Sequence, residues 1–325
     1  TPDVSPEGSR PVFYIAHRLF AAHDRALAAH LAHHLAAKTG ADAVFLPFCD
    51  TDEETLQAPV KGLRLFELDR RRLRTLTGMI AILHGPSLDD GVCMEIGYAA
   101  ALGIPVIAMT TDFQTYSHHP NSPRWEFTDP LIETITRRVV RVPRLGTLPP
   151  ADHSADRFAT FASRNHRQAD EVVARSVDAL LDAATGDRAV PHTAPARAGS
   201  VFFEPSPYTP VPEQVAEAVR TAGHDLRAAR RFAAAGTAAA ARTDWEEAWH
   251  AETLIADVSG PEAPPGAAAL IGAAAAQGRR IGVYLPHPVF THAPGREPNW
   301  RNLMIQYAAG HHLSTPDDLT SWLHR

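Results

Sequence analysis

An acidic, glycine-flanked segment in the first half of the chain carries the residue types best suited to chemistry. It runs from Leu88 to Ala99 and reads LDDGVCMEIGYA. The pattern predicts a loop followed by a helix, with Glu95 in the first turns, where the helix dipole stabilises a carboxylate. Such a carboxylate can attack the anomeric carbon of a sugar and form a glycosyl ester, which a second nucleophile resolves. Asp89 lies in the loop, and Gly91 allows backbone and ligand to approach closely.

Each of these residues also has a purely structural interpretation. Glu95 could simply complement the helix dipole. Asp89 could cap the helix, a role that does not exclude contact with a ligand. Asp90 replaces Asp89 as the candidate if the register is off by one. Cys93 has no evident partner histidine, so buried packing is favoured over a nucleophilic role.

The surrounding sequence predicts the elements that position this segment. Apolar runs at 12–16, 43–46, 79–83 and 105–109 predict buried strands. Stretches at 21–38, 62–76, 92–102 and 155–184 predict helices. Alternating strands and helices are typical of a parallel α/β sheet of the flavodoxin or Rossmann type, which binds ligands beyond the carboxyl ends of its strands.

The second half of the chain repeats the first. Four glycines of each half pair at a constant offset of 175 (260 − 85), without a gap: Gly85, Gly91, Gly97 and Gly103 with Gly260, Gly266, Gly272 and Gly278. Asp69 pairs with Asp244 at the same offset, and the run at 201–203 resembles that at 12–14. Glu95 is replaced by Leu270. We therefore predict two copies of one fold, the second without its polar residues.

Residues Asp89 to Val106 resemble the nucleoside 2-deoxyribosyltransferase family, whose pattern D-x-G-x-x-x-E-x-G-Y-A-x-A-x-G-x-P-V they follow closely. The resemblance covers most of residues 12–140 and, more faintly, 200–325. It implies five roles: Glu95 as the nucleophile, Asp89 as a second acidic pocket residue, Asp69 in contact with the nucleobase or its proton, Tyr14 close to the nucleophile, and Phe20 packed near the base.

The resemblance also implies a composite site. In the family, an asparagine from a neighbouring subunit completes each site, in a segment resembling N-[LP]-M-I. The second half has Asn302-Leu303-Met304-Ile305, whereas the first has Asp129-Pro130-Leu131-Ile132. The first half thus keeps the glutamate and lacks the asparagine, whereas the second half keeps the asparagine and lacks the glutamate. We expect an intramolecular pseudo-dimer in which Glu95 shares one site with Asn302 and Met304, while the equivalent second site is inactive.

The loop after the first strand departs from the family, which has small glycines there. It reads Ala16-His17-Arg18-Leu19-Phe20. His17 and Arg18 would place cationic donors beside the sugar, and an arginine fork suits a phosphate. This favours a nucleoside 5′-monophosphate, the substrate of the related N-glycosidases. Pairing of Arg18 with Asp50 or Asp52 is the equal alternative, and an unusual sugar is also compatible.

The overall composition limits the classes of molecule that the protein is expected to bind. The net charge of −6 gives no general attraction to nucleic acid or acidic membranes. Two cysteines make neither a disulfide framework nor a zinc pattern and suit a reducing cytoplasm. No apolar stretch is long enough for a membrane span. We expect no cofactor or metal, a small-molecule nucleoside or nucleotide with or without a free nucleobase, and either a monomer or a homo-oligomer.

The predicted division is a catalytic domain at 1–187, a linker at 188–199 and a degenerate domain at 200–325 that completes the site. The expected function is cleavage of an N-glycosidic bond with transfer of the (deoxy)ribosyl group to another base or to water. Transferase and hydrolase stay open, as do the base and the sugar. The alternative is a non-catalytic nucleotide-binding sensor or scaffold on a decayed transferase fold.

Overall fold

The computed structural model describes residues 10–50, 61–117, 123–142, 156–184, 193–207, 213–233, 237–286 and 303–325, with backbone only at 61–66 and 303. The first repeat contains β1 (Phe13–Ala16), α1 (Ala22–Thr39), β2 (Val44–Phe45), α2 (Lys61–Leu73), β3 (Gly78–Ile82), α3 (Asp90–Ala101), β4 (Val106–Thr110), α4 (Pro130–Ile135), β5 (Arg138–Arg141) and α5 (Arg157–Ala184). Its strands form one sheet in the order β2-β1-β3-β4-β5, and every neighbouring pair is parallel.

The second repeat has the same topology. It contains β6 (Arg197–Glu204), α6 (Glu213–Thr221), β7 (Asp225–Ala228), α7 (Thr237–His250), β8 (Ala251–Asp257), α8 (Pro265–Ala276), β9 (Arg280–Tyr284), α9 (Leu303–Ala308), β10 (His311–Leu313) and α10 (Pro316–Leu323). Its sheet order, read as β7-β6-β8-β9-β10, matches that of the first. Both are the flavodoxin-like order, so the predicted pair of parallel α/β repeats is confirmed.

The two sheets face each other across a shared layer of helices. On the outer side of the first sheet, Phe13 and Ile15 pack with residues of α1 and α5. On the outer side of the second, Val201 and Phe203 pack with residues of α6 and α10. The largest apolar cluster lies between the sheets and contains residues of both repeats, so the halves share one core. This is the predicted pseudo-dimer.

Helices α3 and α8 meet at the centre of this layer through two equivalent glycines. A Cβ atom on Gly97 would lie 1.8 Å from the backbone oxygen of Ala269, and one on Gly272 would lie 2.0 Å from that of Met94. Both pairs obey the offset of 175 (272 − 97 and 269 − 94), so a pseudo-twofold axis relates the two contacts. Only glycine permits so close an approach of the two backbones.

The strand register corrects one alignment made from the sequence. Tyr14 lies beside Met79 on β3, and Phe202 lies beside Leu254 on β8. Met79 and Leu254 are equivalent at the offset of 175 (254 − 79), so Tyr14 corresponds to Phe202. The apolar match of 12–14 with 201–203 was therefore wrong by one residue.

Several boundaries differ from the prediction. The pattern did not predict α4 or β5. The strand β6 begins at Arg197, inside the predicted linker, and α5 ends at Ala184 as predicted. Among the described residues, no helix is both long enough and apolar enough to cross a membrane.

Candidate active site

The start of α3 positions the acidic segment. Asp89 is its N-cap, and its Oδ1 accepts a hydrogen bond from the backbone nitrogen of Val92 at 2.9 Å. Burial, reinforced by the neighbouring Asp90 carboxylate, raises the pKa of Asp89 to about 6. The structural interpretation of Asp89 as a cap is thus realised, and its second oxygen remains available for other contacts.

Glu95 is the sixth residue of α3 and is half-buried, with its Oε2 atom shielded from solvent. Cys93, two residues earlier, is fully buried, and burial raises the pKa of its thiol well above the usual value. A thiol held in its neutral form is a poor nucleophile. The expectation that Cys93 serves packing is therefore supported, and the role of Glu95 as the nucleophile stays a prediction.

Tyr14 lies on β1 and points into the core that the two repeats share, where it is 1% exposed. Its ring stacks on Phe45 with centroids 5.5 Å apart. The guanidinium carbon of Arg72 lies 3.6 Å from the centre of the Phe45 ring. Arg72 therefore belongs to an aromatic stack that includes Tyr14, whereas its helix neighbours Arg70 and Arg71 are exposed.

Asp69 is half-buried on α2, one turn before Arg72 and therefore on the same side of the helix. Its counterpart Asp244 is fully buried and accepts backbone hydrogen bonds from Arg230 and Arg231. In the second repeat this aspartate is thus a structural anchor. The proposed base contact of Asp69 stays a prediction.

His17 and Arg18, the two cationic residues predicted in the loop after β1, both contact other groups of the protein. His17 is buried and bonds through its two ring nitrogens to the carbonyl oxygens of Arg18 and Pro47, at 2.9 and 3.3 Å. Burial lowers its pKa, and in the neutral form its single ring N–H donates to one of these two carbonyl oxygens. The Nε atom of Arg18 lies 3.8 Å from the Oδ2 atom of Asp24. Asp24 is thus the acid near Arg18.

The two acids named from the sequence do not fill that role in the described part of the chain. The Oδ2 atom of Asp50 accepts a hydrogen bond from the backbone nitrogen of Leu46, and Asp52 lies outside the described residues. Arg18 also points Nη2 at the carbonyl oxygen of His84, 3.4 Å away. Phe20 is 72% exposed, so its packing near a base stays a prediction.

His84 stands at the end of β3, beside Arg18. Its Nε2 accepts the backbone N–H of Thr111 at 3.1 Å, which assigns the ring proton to Nδ1. Burial lowers its pKa. This neutral imidazole lines the same edge of the sheet.

Sequence reasoning missed Glu262, which the second repeat brings to this segment. Carboxylate oxygens of Asp89, Asp90 and Glu262 all lie within 4.8 Å of one another. Asp90 is buried, and its Oδ2 accepts the backbone N–H of Ala263 at 3.2 Å. Asp89 and Asp90 thus each accept a backbone N–H with one carboxylate oxygen. The offset pairs Glu262 with Ser87, the one signal that could have found it.

The equivalent pocket of the second repeat is filled by Arg231, whose side chain is completely buried. Its Nε and Nη2 atoms bind the two oxygens of Asp129 at 2.7 and 2.8 Å. Its Nη1 atom binds Glu204 at 3.1 Å and Asp244 at 3.3 Å. A Cβ atom on Gly266, the counterpart of Gly91, would lie 2.2 Å from Nη2. The mirror pocket therefore contains a guanidinium from the chain itself.

This buried network joins the repeats, because Asp129 comes from the first and the other three residues from the second. Burial alone would lower the pKa of Arg231, but the carboxylates of Asp129 and Glu204 raise it well above its ordinary value. Burial raises the pKa of Glu204 to about 7, although Arg231 favours its charged form.

The helices α4 and α9 exchange their main contacts between the repeats. Helix α4 of the first repeat packs chiefly on α7 of the second, and α9 of the second packs chiefly on α2 of the first. Each also packs on both central helices, α3 and α8. Met304 on α9 is buried in the shared core. Asn302, which precedes α9, lies outside the described residues, so its predicted contact with the site is not observed.

The family model described as nucleoside 2-deoxyribosyltransferase matches residues 13–158. These residues therefore form a domain of that family, as the sequence pattern predicted. A domain of this family indicates an enzyme of glycosyltransferase or glycosidase type that binds a nucleoside or nucleotide. No curated protein matches the chain at a significant level.

Two solved structures are similar to parts of the chain. A conserved protein from Enterococcus faecalis V583 is 23% identical, with a TM-score of 0.35, and the match covers 41% of this chain and 92% of that one. The apo form of UGT2 from Phytolacca americana is 9% identical, with a TM-score of 0.22, and the match covers 97% of this chain and 90% of that one.

Proposed function

We propose that this protein cleaves the N-glycosidic bond of a nucleoside or nucleoside 5′-monophosphate through a covalent glycosyl-Glu95 intermediate. The Glu95 carboxylate attacks C1′, the bond from C1′ to the base nitrogen breaks, and the base leaves with the electron pair and takes up a proton. A second base or water then attacks C1′ and releases the carboxylate. Two displacements retain the configuration at C1′.

The difference between the two repeats carries this proposal. Glu95 is half-buried on α3, whereas the equivalent Leu270 on α8 is 1% exposed. On the same helix, Gly266 lies against the Arg231 side chain that fills the pocket of the second repeat. The first repeat thus keeps a half-buried carboxylate at the position where the second repeat has a buried aliphatic side chain beside a filled pocket.

Roles for Tyr14, Asp89 and Asp69 follow from the family pattern. We assign Tyr14 a place beside the nucleophile and Asp89 a contact with a sugar oxygen. Asp69 faces the base. The remaining substrate-binding assignments are Gly91, Asp90, Phe20, His17, Arg18, Asn302 and Met304.

The composite site is supported by the exchange of α4 and α9. Asp129 immediately precedes α4, and its carboxylate lies against Gly266 in the mirror pocket. Asn302 immediately precedes α9, the counterpart of α4. By this equivalence we propose that Asn302 serves the Gly91 side of the catalytic pocket.

Arg18 decides between two substrate classes. A 5′-phosphate would have to compete with Asp24 for its guanidinium, whose Nε atom lies 3.8 Å from Oδ2. The acidic group at the start of α3 adds negative charge on the other side. Both features fit a free nucleoside, and the monophosphate remains the second candidate because the long Arg18–Asp24 contact can be exchanged for a bidentate one.

A second function is a sensor or scaffold that binds a nucleotide without turnover. The observation in its favour is Arg231, which shows that one pocket of this chain has already become structural. A sensor needs no nucleophile, so loss of Glu95 would leave its binding intact.

The test is a panel of nucleosides and nucleoside 5′-monophosphates, each with and without a second free base. Released base and exchanged nucleoside are separated by chromatography. Exchange that requires the second base identifies a transferase, and base release in its absence identifies a hydrolase. Release from monophosphates alone assigns the phosphate to Arg18.

The decisive variant is Glu95→Gln, which keeps the shape and removes the nucleophile. Its matched control is Glu246→Gln, which neutralises an exposed carboxylate on α7. We expect Glu95→Gln to reduce turnover by at least 10³-fold, on the order of other losses of a catalytic nucleophile, and the control to be unaffected. Binding without turnover in the unmodified protein would instead support the sensor.

A further inference from the structure

Glu262 and Ser87 are the same position in the two repeats (262 − 87 = 175), and they touch. The Ser87 hydroxyl donates to Glu262 Oε2 at 3.3 Å. In a symmetric dimer this position would face its own copy, so two glutamates would meet as like charges. When the two copies are fused in one chain, they can differ, so one copy has serine at this position while the other has glutamate.

The loop that carries Glu262 is fixed against the start of α3. The N–H of Ala263, the next residue, is bound by the buried Asp90 carboxylate at 3.2 Å. Asp89 is held from the other side, because Oδ1 accepts the N–H of Val92 at 2.9 Å. The oxygens of Asp89 and Glu262 are thereby kept within 4.8 Å of each other. Two carboxylates at this separation disfavour simultaneous ionisation.

The surrounding charges do not neutralise the pair. Burial raises the pKa of Glu262, and the Asp89 carboxylate adds to that rise. Arg18 is the cation that acts on both acids. Helices α8 and α9 carry no charged residue. The other titratable groups of α3 are Asp90, Cys93, Glu95 and Tyr98, and those of α4 and its N-cap are Glu133 and Asp129.

We propose that Glu262 is a positioning residue for the active site of the first repeat, where its carboxylate lies beside Asp89 and favours the protonated form of that acid. Because the pKa of Asp89 is raised to about 6, Asp89 is protonated at mildly acidic pH. Its carboxyl group then donates a hydrogen bond to the substrate, while Glu262, which accepts the Ser87 hydroxyl, retains the negative charge. The substrate role rests on the proposed function, whereas the effect of Glu262 on Asp89 does not.

The test is a ¹³C NMR titration of protein labelled at the aspartate carboxyl carbons. The Asp89 signal is assigned by its absence in Asp89→Asn. In Glu262→Gln we expect the apparent pKa of Asp89 to fall by about one unit, because the like charge is gone. Glu262→Asp retains the charge and should keep most of the rise, and Glu246→Gln should leave the titration unchanged. An unchanged Asp89 titration in Glu262→Gln would overturn the proposal.

The kinetic consequence is measured separately. One limb of the pH profile of kcat/KM should report the titration of Asp89 and should disappear in Asp89→Asn. In Glu262→Gln this limb should move to lower pH by the same amount as the Asp89 pKa measured by NMR. A limb that stays in place while the NMR pKa moves would overturn the positioning role. Absence of turnover in the unmodified protein would contradict the proposed function, and the NMR titration would still decide the carboxyl pair.

Discussion

Adding one methyl group at the crossing of α3 and α8 should strongly destabilise the protein. In Gly97→Ala the new Cβ atom would lie 1.8 Å from the backbone oxygen of Ala269, where ordinary contact begins at 3.4 Å. The helices must therefore separate by about 1.6 Å (3.4 − 1.8). In Gly272→Ala the deficit at Met94 is about 1.4 Å (3.4 − 2.0). Neither neighbour is a flexible side chain, so the strain falls on the packed backbones.

We expect each substitution to lower the free energy of unfolding by about 3 kcal/mol or more, the upper end for overpacked cores. This corresponds to a fall in Tm of about 4 °C or more for a chain of this size. The assay is urea and thermal unfolding followed by circular dichroism. Gly310→Ala is the control, because its Cβ atom would lie 3.5 Å from the oxygen of Ile281, an ordinary contact, and should change stability little.

The double variant tests the pseudo-twofold axis itself. Once the first alanine has forced the helices apart, the second meets a widened interface and should cost less than it does alone. Strictly additive losses, or a stable Gly97→Ala protein, would refute the interpretation of this crossing as one symmetric contact.

Three further predictions concern the mirror pocket and the cysteines. Arg231→Leu should lower the free energy of unfolding by about 3–5 kcal/mol in urea titrations, because it leaves buried carboxylates unpaired. Arg227→Leu removes a solvent-exposed ion pair and should change stability little. Glu204 has a folded-state pKa of about 7, above its ordinary value, so folding takes up a proton. The stability that this proton uptake contributes should therefore be lost as pH rises from about 4.5 to about 7. In urea unfolding across this range, the free energy of unfolding should fall less steeply with pH in Glu204→Gln than in the unmodified protein. A thiol reagent should modify exposed Cys49 rapidly and buried Cys93 only on unfolding; equal rates would contradict the packing described for α3.

The sequence predicted the repeat and the central strands because these carry regular markers. The four glycine pairs fix the register of the segments from β3 to β4 and from β8 to β9, where turns and close helix contacts demand glycine. The first strands lack such a marker, and their apolar residues fit two registers. A shift of one residue moves each side chain to the opposite face: Tyr14 points to the shared layer, whereas Phe203 points outward.

The acidic segment of α3 was predicted because it lies within one stretch of sequence. Glu262 and Arg231 were missed, because each acquires its meaning from contacts across the repeat interface, over 173 residues from Asp90 to Ala263 and 102 residues from Asp129 to Arg231. The short α4 and β5 were missed because a few residues of mixed polarity give no clear period.

Arg72 and Arg18 illustrate how tertiary packing changes an interpretation based on charge. A run of arginines on a helix is typical of a solvated face, yet Arg72 covers the ring of Phe45, which in turn stacks on Tyr14. Arg18 lies near Asp24, which the local pattern did not single out.

The most direct test of the central claim is covalent trapping on Glu95. The protein is incubated with a nucleoside that carries fluorine at C2′, which slows attack on the glycosyl ester, and is then digested for peptide mass spectrometry. We predict that the mass of one fluorinated sugar is added to the peptide that contains Glu95, and that the adduct is absent in Glu95→Gln. Base release without any adduct on Glu95, or an adduct on another residue, would contradict the account.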